Sequence, residues 1–472
     1  MRLSELFPNV DVPNPNPVVK GLAWDSRRVL PGDLFFALPG QNHDGHAFIP
    51  QAISRGAVAV VGERDRLDLP VPYIRVGDAR TALAQAAAAF YGHPTARLTT
   101  IGVTGTNGKT TVVHLLGQLL PACETLTTVR VEEEGLSCVT TPEAPDLQRL
   151  AAQAVARGQK YLAFEASSIG LAQRRVDGVR LAGAVFTGLS RDHLDFHRAM
   201  AEYLRAKLRL FELLPLDGFG VVNAADPHAE AFLAATPGEK LTYGIGQGDV
   251  RAEGVKELHW GSECSLVLPE GEVRLRLPFP GEFNLENALA AAAVAYLLGL
   301  SPREIAARLQ GASLPRGRLD RFTAHTGAEV IVDYAHTPDA LKRVLSLLRP
   351  RAHRLIVVFG AAGESDAGKR PLMGQVVGDM ADFAIVTTDN PKGEDPRAIA
   401  AAIAHGLKAT RGQYEVQLDR GCAIRLALTR AGEGDIVLIA GKGHERFQWT
   451  ARGPEPYSDR EFLLKSGLAS PG

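Results

Sequence analysis

The stretch IGVTGTNGKTTVVHLL, from Ile101 to Leu116, places a strand-like run, three glycines and a Gly-Lys-Thr directly before a helical pattern. Glycines let backbone N–H groups turn inward around an anion, and a following helix adds the partial positive charge of its N-terminus. Lys109 can reach the outer phosphates of a nucleotide, and the Thr110 hydroxyl can bind a magnesium ion. The stretch therefore predicts an ATP-binding loop.

The glycine spacing differs from that of the common phosphate-binding loop. In the common loop a glycine lies five residues before the glycine of Gly-Lys-Thr, and here that position is Val103. This difference argues against a standard GTPase or kinase. A Gly-rich turn without a ligand is the weaker interpretation, because strand, glycines, Lys-Thr and helix all follow in order.

Length and composition indicate an ordinary globular protein. The 472 residues suggest two to four domains, and the fractions of apolar (45%) and charged (22%) residues are typical of such proteins. A net charge of −1 gives no reason to expect nucleic acid or an anionic membrane as a partner. The longest nearly apolar stretch, from Ala288 to Leu300, is too short to span a bilayer. Four scattered cysteines and the lack of a signal peptide predict a cytoplasmic protein.

Three blocks can be separated along the chain, and we expect three domains at 1–95, 96–316 and 317–472. Alternating strand and helix patterns predict an α/β fold, with a parallel sheet in the central ATPase domain and a Rossmann-like, doubly wound C-terminal domain. Residues from Leu241 to Leu277 resemble short antiparallel strands of a subsidiary sheet. An alanine-rich helix is predicted from Asn287 to Leu298.

Two polar residues of the central block follow strand-like runs. Glu165 ends YLAFE, where a carboxylate can face the phosphates through a hard cation. His193 lies in SRDHLDFH, just past another strand. Each signal is weak alone, since a solvated glutamate or a structural histidine explains it equally well.

A lysine lies on the apolar face of a predicted helix in AEYLRAKLRLFELLP. At 3.6 residues per turn, Tyr203, Lys207, Leu210, Phe211 and Leu214 share this face. Lys207 could extend to the surface along its aliphatic stem. Alternatively, burial would lower the pKa of Lys207 and so favour its neutral amine, which is a nucleophile and can be modified.

The motifs VTGTNGKTT, EASS, SRDHLDFH, YLRAKLRLF, GEFNLENALAA, DYAHTPDAL, KRPLM and AGKGHE follow one another along the chain. In this order they resemble the Mur ligases, ATP-dependent amide-bond-forming enzymes of peptidoglycan synthesis, over essentially the whole length. WDSRRVLPGDLFFALPGQNHDGHAFIPQA, at 24–52, resembles the UDP-binding domain of the members that join a diamino acid to UDP-N-acetylmuramoyl-L-alanyl-D-glutamate. TTPE at 140–143 and DNP at 389–391 point to the same members.

The resemblance implies three sets of binding residues. Those implied for ATP are Gly105, Thr106, Asn107, Gly108, Lys109, Thr110, Thr111, Asn287, Arg318 and Asp333. Those implied for the UDP-sugar substrate are Trp24, Ser26, Gln41, Asn42, His43, Thr140, Thr141, Ser167, Gln173 and Arg175. Those implied for the incoming amino acid are Asp389, Asn390, Lys392, Gly441 and Glu445.

The resemblance also implies the catalytic and metal-binding residues. Lys109, Glu165, His193 and Lys207 are implied to be catalytic. Mg²⁺ would be served by Thr110, Glu165, His193 and Lys207, the last as a carbamate formed with CO2. We expect a monomer whose partners are its small-molecule substrates, and domain closure during the reaction.

Two departures from the family pattern bear on the incoming amino acid. Members that use meso-diaminopimelate carry Asp-Asn-Pro-Arg, whereas this chain has Lys392 in place of the arginine. Lysine cannot form the planar, bidentate pair of hydrogen bonds with a carboxylate that arginine forms. Ser365 replaces a second arginine. We therefore predict L-lysine or L-ornithine, whose side-chain ammonium would meet Asp389 and Glu445, with meso-diaminopimelate as the alternative.

The remaining departures, Ile169 for a histidine and Val139 for an asparagine, are not expected to carry chemistry.

Another Mur ligase or a folylpolyglutamate synthetase is a related alternative. An ATP-driven switch or transport protein and an inactive nucleotide-binding scaffold are alternatives from other classes. Only a ligase would release ADP in response to both an acceptor and an amino acid.

Overall fold

The computed structural model describes residues 1–8, 10, 16–40, 43–65, 68–133 and 140–471. The predicted substrate residues Gln41 and Asn42, and the departure at Val139, lie outside this set. Three main sheets follow one another along the chain and confirm the predicted α/β class with three domains.

The N-terminal domain is a small, fully parallel sheet in the order β1-β2-β3-β4, covered by short helices. Its strands are β1 Gly21–Ala23, β2 Asp33–Phe36, β3 Ala59–Gly62 and β4 Tyr73–Arg75. Its helices are α1 Leu3–Leu6, α2 Ile49–Ser54 and α3 Ala79–Phe90. Alanines along α3 are buried, which lets this helix pack closely against its neighbours.

The central domain contains a nine-stranded sheet in the order β13-β12-β11-β10-β9-β8-β5-β7-β6. The strands are β5 Thr99–Thr104, β6 Cys123–Leu126, β7 Tyr161–Glu165, β8 Gly183–Phe186, β9 Phe219–Asn223, β10 Lys240–Ile245, β11 Val250–Leu258, β12 Gly261–Leu268 and β13 Gly271–Leu277. The helices are α4 Lys109–Leu119, α5 Thr128–Glu133, α6 Ala144–Ala156, α7 Ser168–Ala172, α8 Leu194–His197, α9 Met200–Glu212, α10 Ala229–Ala235, α11 Glu282–Leu297 and α12 Pro302–Gln310.

The predicted antiparallel strands are present, but the prediction that they form a subsidiary sheet is wrong. β11, β12 and β13 pair antiparallel with one another, and β11 also pairs parallel with β10. This parallel pairing joins them to the main sheet. The alanine-rich helix α11 begins five residues earlier than predicted, because Glu282 follows directly on Gly281, whose φ is 98°. It packs against α4, the helix that follows the phosphate loop.

The C-terminal domain contains a seven-stranded sheet in the order β18-β17-β16-β19-β15-β14-β22 and a separate hairpin, β20-β21. The strands are β14 Asp320–Ala324, β15 Glu329–Asp333, β16 Leu355–Phe359, β17 Phe383–Val386, β18 Gln413–Val416, β19 Ile436–Ala440, β20 Phe447–Thr450, β21 Gly453–Pro456 and β22 Ala469–Pro471. The helices are α13 Pro338–Leu348, α14 Lys369–Met380, α15 Pro396–Lys408, α16 Arg420–Arg430 and α17 Asp459–Lys465. The five strands from β18 to β15 are parallel, as a doubly wound domain requires.

Apolar packing against both faces of the C-terminal sheet confirms the doubly wound arrangement. One face packs against α13, α14 and α15, and the other against α16 and α17. None of the helices in the described ranges is both long and apolar enough to cross a membrane.

Candidate active site

The phosphate loop joins β5 to α4 in the predicted way. Gly105 and Gly108 have φ angles of 146° and 88°, a backbone region that favours glycine. A Cβ at Gly105 would overlap the Thr187 hydroxyl. The Lys109 ammonium donates to the carbonyl oxygens of Gly105 and Thr106, at 2.9 Å each. The loop is thus folded back on its own lysine, and burial lowers the pKa of Lys109.

A cavity of about 400 Å³ opens beside this loop and is lined by both the central and the C-terminal domains. Most residues implied for ATP or metal line it: Thr106, Asn107, Gly108, Lys109, Thr110, Thr111, Glu165, His193, Asn287, Arg318 and Asp333. Thr140, implied for the UDP-sugar substrate, lines the same cavity. The fold therefore brings together side chains that lie far apart in the sequence.

Glu165 and His193 reach the cavity from the ends of two central strands. Glu165 ends β7 and accepts a hydrogen bond from the Thr128 backbone N–H at 2.8 Å. His193 follows β8, and its Nε2 lies 3.6 Å from the Asp192 carboxylate. Burial lowers the pKa of His193, which favours the neutral imidazole that can bind a cation.

Lys207 is buried in α9, as the helical pattern indicated, with 1% of the residue exposed. Its Nζ donates to the Gly105 carbonyl oxygen at 2.7 Å and lies 4.5 Å from the centre of the Tyr203 ring. Burial lowers the pKa of the Lys207 ammonium well below its ordinary value, and the charge of Lys109 acts in the same direction. The side chain does not extend to the surface, so of the two interpretations the buried amine is the one observed.

The C-terminal domain contributes an arginine and a carboxylate to the cavity. The Arg318 guanidinium lies over the Tyr334 ring at 4.5 Å and donates to the Thr110 hydroxyl at 3.4 Å. Asp333 ends β15 and accepts hydrogen bonds from the backbone N–H groups of Leu319 and Ala335, at 2.9 and 2.8 Å. Burial raises the pKa of Asp333. Arg318 thus connects the C-terminal domain to the first turn of α4.

Four of the residues implied for the UDP-sugar substrate form one hydrogen-bonded group beside Glu165: Thr141, Ser167, Gln173 and Arg175. The Thr141 hydroxyl donates to the Glu165 carbonyl oxygen at 2.8 Å and lies 2.9 Å from the Ser167 hydroxyl. Arg175 donates to the Thr141 carbonyl oxygen at 2.7 Å and to Gln173 Oε1 at 2.6 Å. This group continues from the ATP cavity toward the N-terminal domain.

The described residues implied for uridine diphosphate lie in the segments that follow β1 and β2 of the N-terminal domain, and they do not line the cavity. The Arg28 guanidinium lies 5.5 Å from the centre of the Trp24 ring. The Ser26 hydroxyl donates to Gln51 Oε1 at 2.6 Å, and the His43 ring meets Phe48 edge-on with centroids 6.4 Å apart. Gln51 was not predicted from the sequence.

Two of the residues implied for the amino acid, Asn390 and Glu445, contact a buried lysine, Lys442, that was given no role from the sequence. Lys442 donates to Glu445 Oε2 at 2.6 Å and to Asn390 Oδ1 at 2.9 Å, and Asn390 also donates to Glu445 Oε2 at 2.8 Å. Glu445 therefore already has a cationic partner, and its contact with the ammonium of a substrate stays a prediction. The Asp389 carboxylate lies over Gly441, where a Cβ would collide with it.

Three further residues at the junction of the central and C-terminal domains were not assigned a role from the sequence, although each lies in a quoted motif. Asp192 and His336 line the cavity. Lys369 donates to Asp192 Oδ1 at 3.1 Å. Membership of these motifs was the signal that the sequence offered for them.

A phosphate loop that faces a second α/β domain across a shared cavity is suited to ATP-driven coupling of two substrates. Residues 18–91, 103–295 and 317–443 match the models of the Mur ligase family catalytic domain, the Mur ligase middle domain and the Mur ligase glutamate ligase domain. The chain belongs to the Mur ligase family, and it is an ATP-dependent, amide-bond-forming ligase of peptidoglycan synthesis.

Individual relatives match over nearly the whole chain. A UDP-N-acetylmuramoyl-L-alanyl-D-glutamate--2,6-diaminopimelate ligase of Caldanaerobacter subterraneus subsp. tengcongensis is 40% identical over 98% of each chain. A UDP-N-acetylmuramyl-tripeptide synthetase of Roseiflexus sp. is 42% identical over 94% of each chain. A solved structure of a UDP-N-acetylmuramoyl-L-alanyl-D-glutamate--2,6-diaminopimelate ligase is 30% identical, with a TM-score of 0.66 over 99% of this chain and 98% of that one.

Proposed function

We propose that the protein joins a diamino acid to UDP-N-acetylmuramoyl-L-alanyl-D-glutamate and cleaves ATP to ADP and phosphate. The observation that carries this proposal is the shared cavity, in which Lys109 and Glu165 face Arg318 and Asp333 of the C-terminal domain. Boundaries near residues 95 and 317 would leave the uridine diphosphate to the N-terminal domain, ATP to the central domain and the amino acid to the C-terminal domain, with the rest of the acceptor between the first two.

The reaction proceeds in two steps. A free carboxylate of the acceptor's D-glutamate attacks the γ-phosphorus of ATP, and the bond to the ADP oxygen breaks, which gives an acyl phosphate. The amine of the diamino acid then attacks the acyl carbon, the bond to the phosphate oxygen breaks, and the amine loses its proton as the amide forms. Lys109 and the backbone N–H groups of the loop stabilise charge on the transferring oxygens.

The side chains around the loop fit a magnesium ion. Thr110, Glu165 and His193 line one cavity, and within the described ranges no three His, Cys, Asp or Glu residues cluster closely enough to hold a metal by themselves. This suits Mg²⁺, which is usually bound by one or two carboxylates together with the phosphates of the substrate. The ion, when bound, would neutralise the charge of the β- and γ-phosphates.

Lys207 would complete this set after modification. Its low pKa favours the neutral amine, whose nitrogen can bond to the carbon of CO2 and release a proton to form an anionic carbamate. Because Lys207 Nζ contacts the Gly105 carbonyl oxygen, that anion would lie beside the phosphate loop. What supports a carbamate is that the buried Lys207 donates to a carbonyl oxygen, whereas no hydrogen bond to a carboxylate is found for it among the described residues.

We expect the enzyme to act in the bacterial cytoplasm as a monomer. The three cysteines in the described part of the chain, Cys123, Cys264 and Cys422, are free thiols, which fits a reducing compartment.

Two candidates for the amino acid rest on different observations. The names of the relatives favour 2,6-diaminopimelate over the predicted L-lysine or L-ornithine. The pocket itself favours the basic amino acids. Near the predicted residues, Arg370 donates to both oxygens of Glu394, and Lys442 is paired with Glu445. Of the cations that line the pocket with Lys392, Arg420 is paired with Asp459, which leaves Lys392 and Arg452 for a second carboxylate.

Ser365, where a second arginine was expected, donates its hydroxyl to the Ala362 carbonyl oxygen at 2.9 Å. Specificity among related amino acids depends on such pocket side chains rather than on overall identity. We therefore retain L-lysine or L-ornithine as the proposed substrate and 2,6-diaminopimelate as the second candidate.

A competition assay with equal L-lysine, L-ornithine and meso-diaminopimelate tests this choice. Mass spectrometry of the UDP-linked product identifies the amino acid incorporated. Predominant incorporation of L-lysine or L-ornithine is expected. Predominant incorporation of diaminopimelate would contradict the pocket argument and leave the ligase proposal intact.

A further inference from the structure

A buried ion pair joins the central and C-terminal domains next to the cavity. Lys369, the first residue of α14, donates to Asp192 Oδ1 at 3.1 Å, and the exposed fractions of the two side chains are 6% and 5%. Asp192 lies in the central domain, in the loop that leads from β8 to α8. The lysine therefore spans the junction of the two domains.

Asp192 also contacts the histidine implied to serve magnesium. Its carboxylate accepts a hydrogen bond from the His193 backbone N–H at 3.0 Å and lies 3.6 Å from His193 Nε2. The His193 backbone has a φ of 54°, in the left-handed region that residues other than glycine rarely adopt. His336 of the C-terminal domain faces the same carboxylate at 4.0 Å.

We propose that Lys369 is a positioning residue for ligation: when the C-terminal domain is docked, its ammonium holds the Asp192 carboxylate and thereby sets His193 toward the phosphate loop. Asp192, and through it His193, are then fully oriented only while the amino-acid-binding domain is in place. This inference rests on the proposed function, because it assigns His193 its role at the metal.

A second pair across the same junction provides a matched control. Arg191, adjacent to Asp192, donates to the Asp366 carboxylate at 3.3 and 3.4 Å. The Arg191 side chain is 46% exposed, so its pair is weakened by solvent. Both pairs join the same two segments, but only Lys369 holds the residue that contacts His193.

The test compares Lys369→Met, Lys369→Arg, Asp192→Asn and Arg191→Gln by steady-state kinetics. Lys369→Met should lower kcat by about a hundredfold, with little change in KM for ATP and the UDP-sugar. Lys369→Arg should recover part of that loss, because it restores a cation. Arg191→Gln should stay within about threefold of wild type. The double variant Lys369→Met/Asp192→Asn should be no slower than the slower single variant, because both substitutions break one contact.

Equal losses in Lys369→Met and Arg191→Gln, or kcat losses that multiply in the double variant, would overturn the proposal. Melting temperatures of the same four proteins and the double variant, measured without substrates, test the contact independently of turnover. If the decreases in melting temperature of Lys369→Met and Asp192→Asn do not add up in the double variant, the contact is supported. If they do add up, the contact is contradicted. If the wild-type protein forms no amide product, the proposed function fails, whereas the melting data still decide whether the contact exists.

Discussion

Replacing Lys442 with methionine tests how the amino-acid pocket is held together. The Lys442 residue is fully buried, and its ammonium donates to Glu445 Oε2, Asn390 Oδ1 and the Phe447 carbonyl oxygen, at 2.6, 2.9 and 2.8 Å. Methionine keeps much of the side-chain length but removes the charge and all three donors. The Glu445 carboxylate would then retain the Asn390 amide as a partner, without a compensating charge.

The surroundings of Glu445 set the size of the expected loss of stability. Removing one member of a buried ion pair costs about 3–5 kcal/mol, because the other charge is left uncompensated. The Glu445 side chain is 17% exposed and keeps one hydrogen bond, so we expect the lower end, about 3 kcal/mol. For a domain of this size, each kcal/mol lowers Tm by about 2–4 °C, and the C-terminal transition should fall by roughly 6–12 °C.

Differential scanning calorimetry of Lys442→Met, with Lys392→Met as the control, measures this loss. Lys392 is half-buried in the same pocket, and its replacement should leave the transition within about 2 °C of wild type. A Lys442→Met transition equally close to wild type would refute the reasoning, because the buried pair would then contribute no net stability.

The pH dependence of the melting temperature tests the same ion pair a second time. Burial raises the pKa of Glu445, and the charge of Lys442 opposes that rise. Without Lys442 the pKa in the folded state is higher still, so the folded protein binds a proton more tightly than the unfolded chain does. Stability lost at neutral pH then returns as the pH falls. The Tm deficit of Lys442→Met should therefore shrink between about pH 8 and about pH 5, and a deficit that grows would contradict this reading.

Three further predictions concern the phosphate loop and the buried lysine. Lys207→Ala and Lys207→Arg should fold but lose most ligase activity, since neither can form the carbamate. Near-normal turnover in either variant would contradict the role of a Lys207 carbamate, and so would an active enzyme whose intact mass shows unmodified Lys207. Lys109→Ala should abolish ligation while calorimetry still detects the UDP-sugar, because the two sites lie in different domains; equal loss of both would contradict the proposed domain roles. Gly105→Ala should weaken ATP binding by about 5- to 150-fold, because the strained φ and the collision with Thr187 together cost on the order of 1–3 kcal/mol. Gly77→Ala, where a Cβ has open space, should bind ATP normally.

The sequence predicts features that depend on neighbouring residues. The strand, glycines and Lys109 of the phosphate loop are consecutive, so their geometry follows from local rules. The buried face of α9 follows from helical periodicity, and burial of Lys207 confirms that interpretation over a surface-exposed one. Alternating strands and helices likewise predict the doubly wound C-terminal sheet, because short connections leave few other topologies.

Features that depend on distant pairing could not be predicted. Nothing local indicates that β11 pairs with β10 and so joins the antiparallel strands to the main sheet. Lys369 and Asp192 are 177 positions apart, and only the docked domains bring them together. The pairing of Glu445 with Lys442 could not be predicted for a related reason: a list of charged residues does not show which ones neutralise each other.

Dependence of ADP release on substrates tests the central claim most directly. Purified protein is incubated with Mg²⁺ and ATP under four conditions, and ADP is measured by a coupled assay. The additions are UDP-N-acetylmuramoyl-L-alanyl-D-glutamate alone, a mixture of L-lysine, L-ornithine and meso-diaminopimelate alone, both together, or neither. Sustained ADP release is expected only when the acceptor and an amino acid are both present, together with one equivalent of amide product. Sustained ADP release without the amino acid, or ADP release without amide product, would contradict the account and favour an ATP-driven switch.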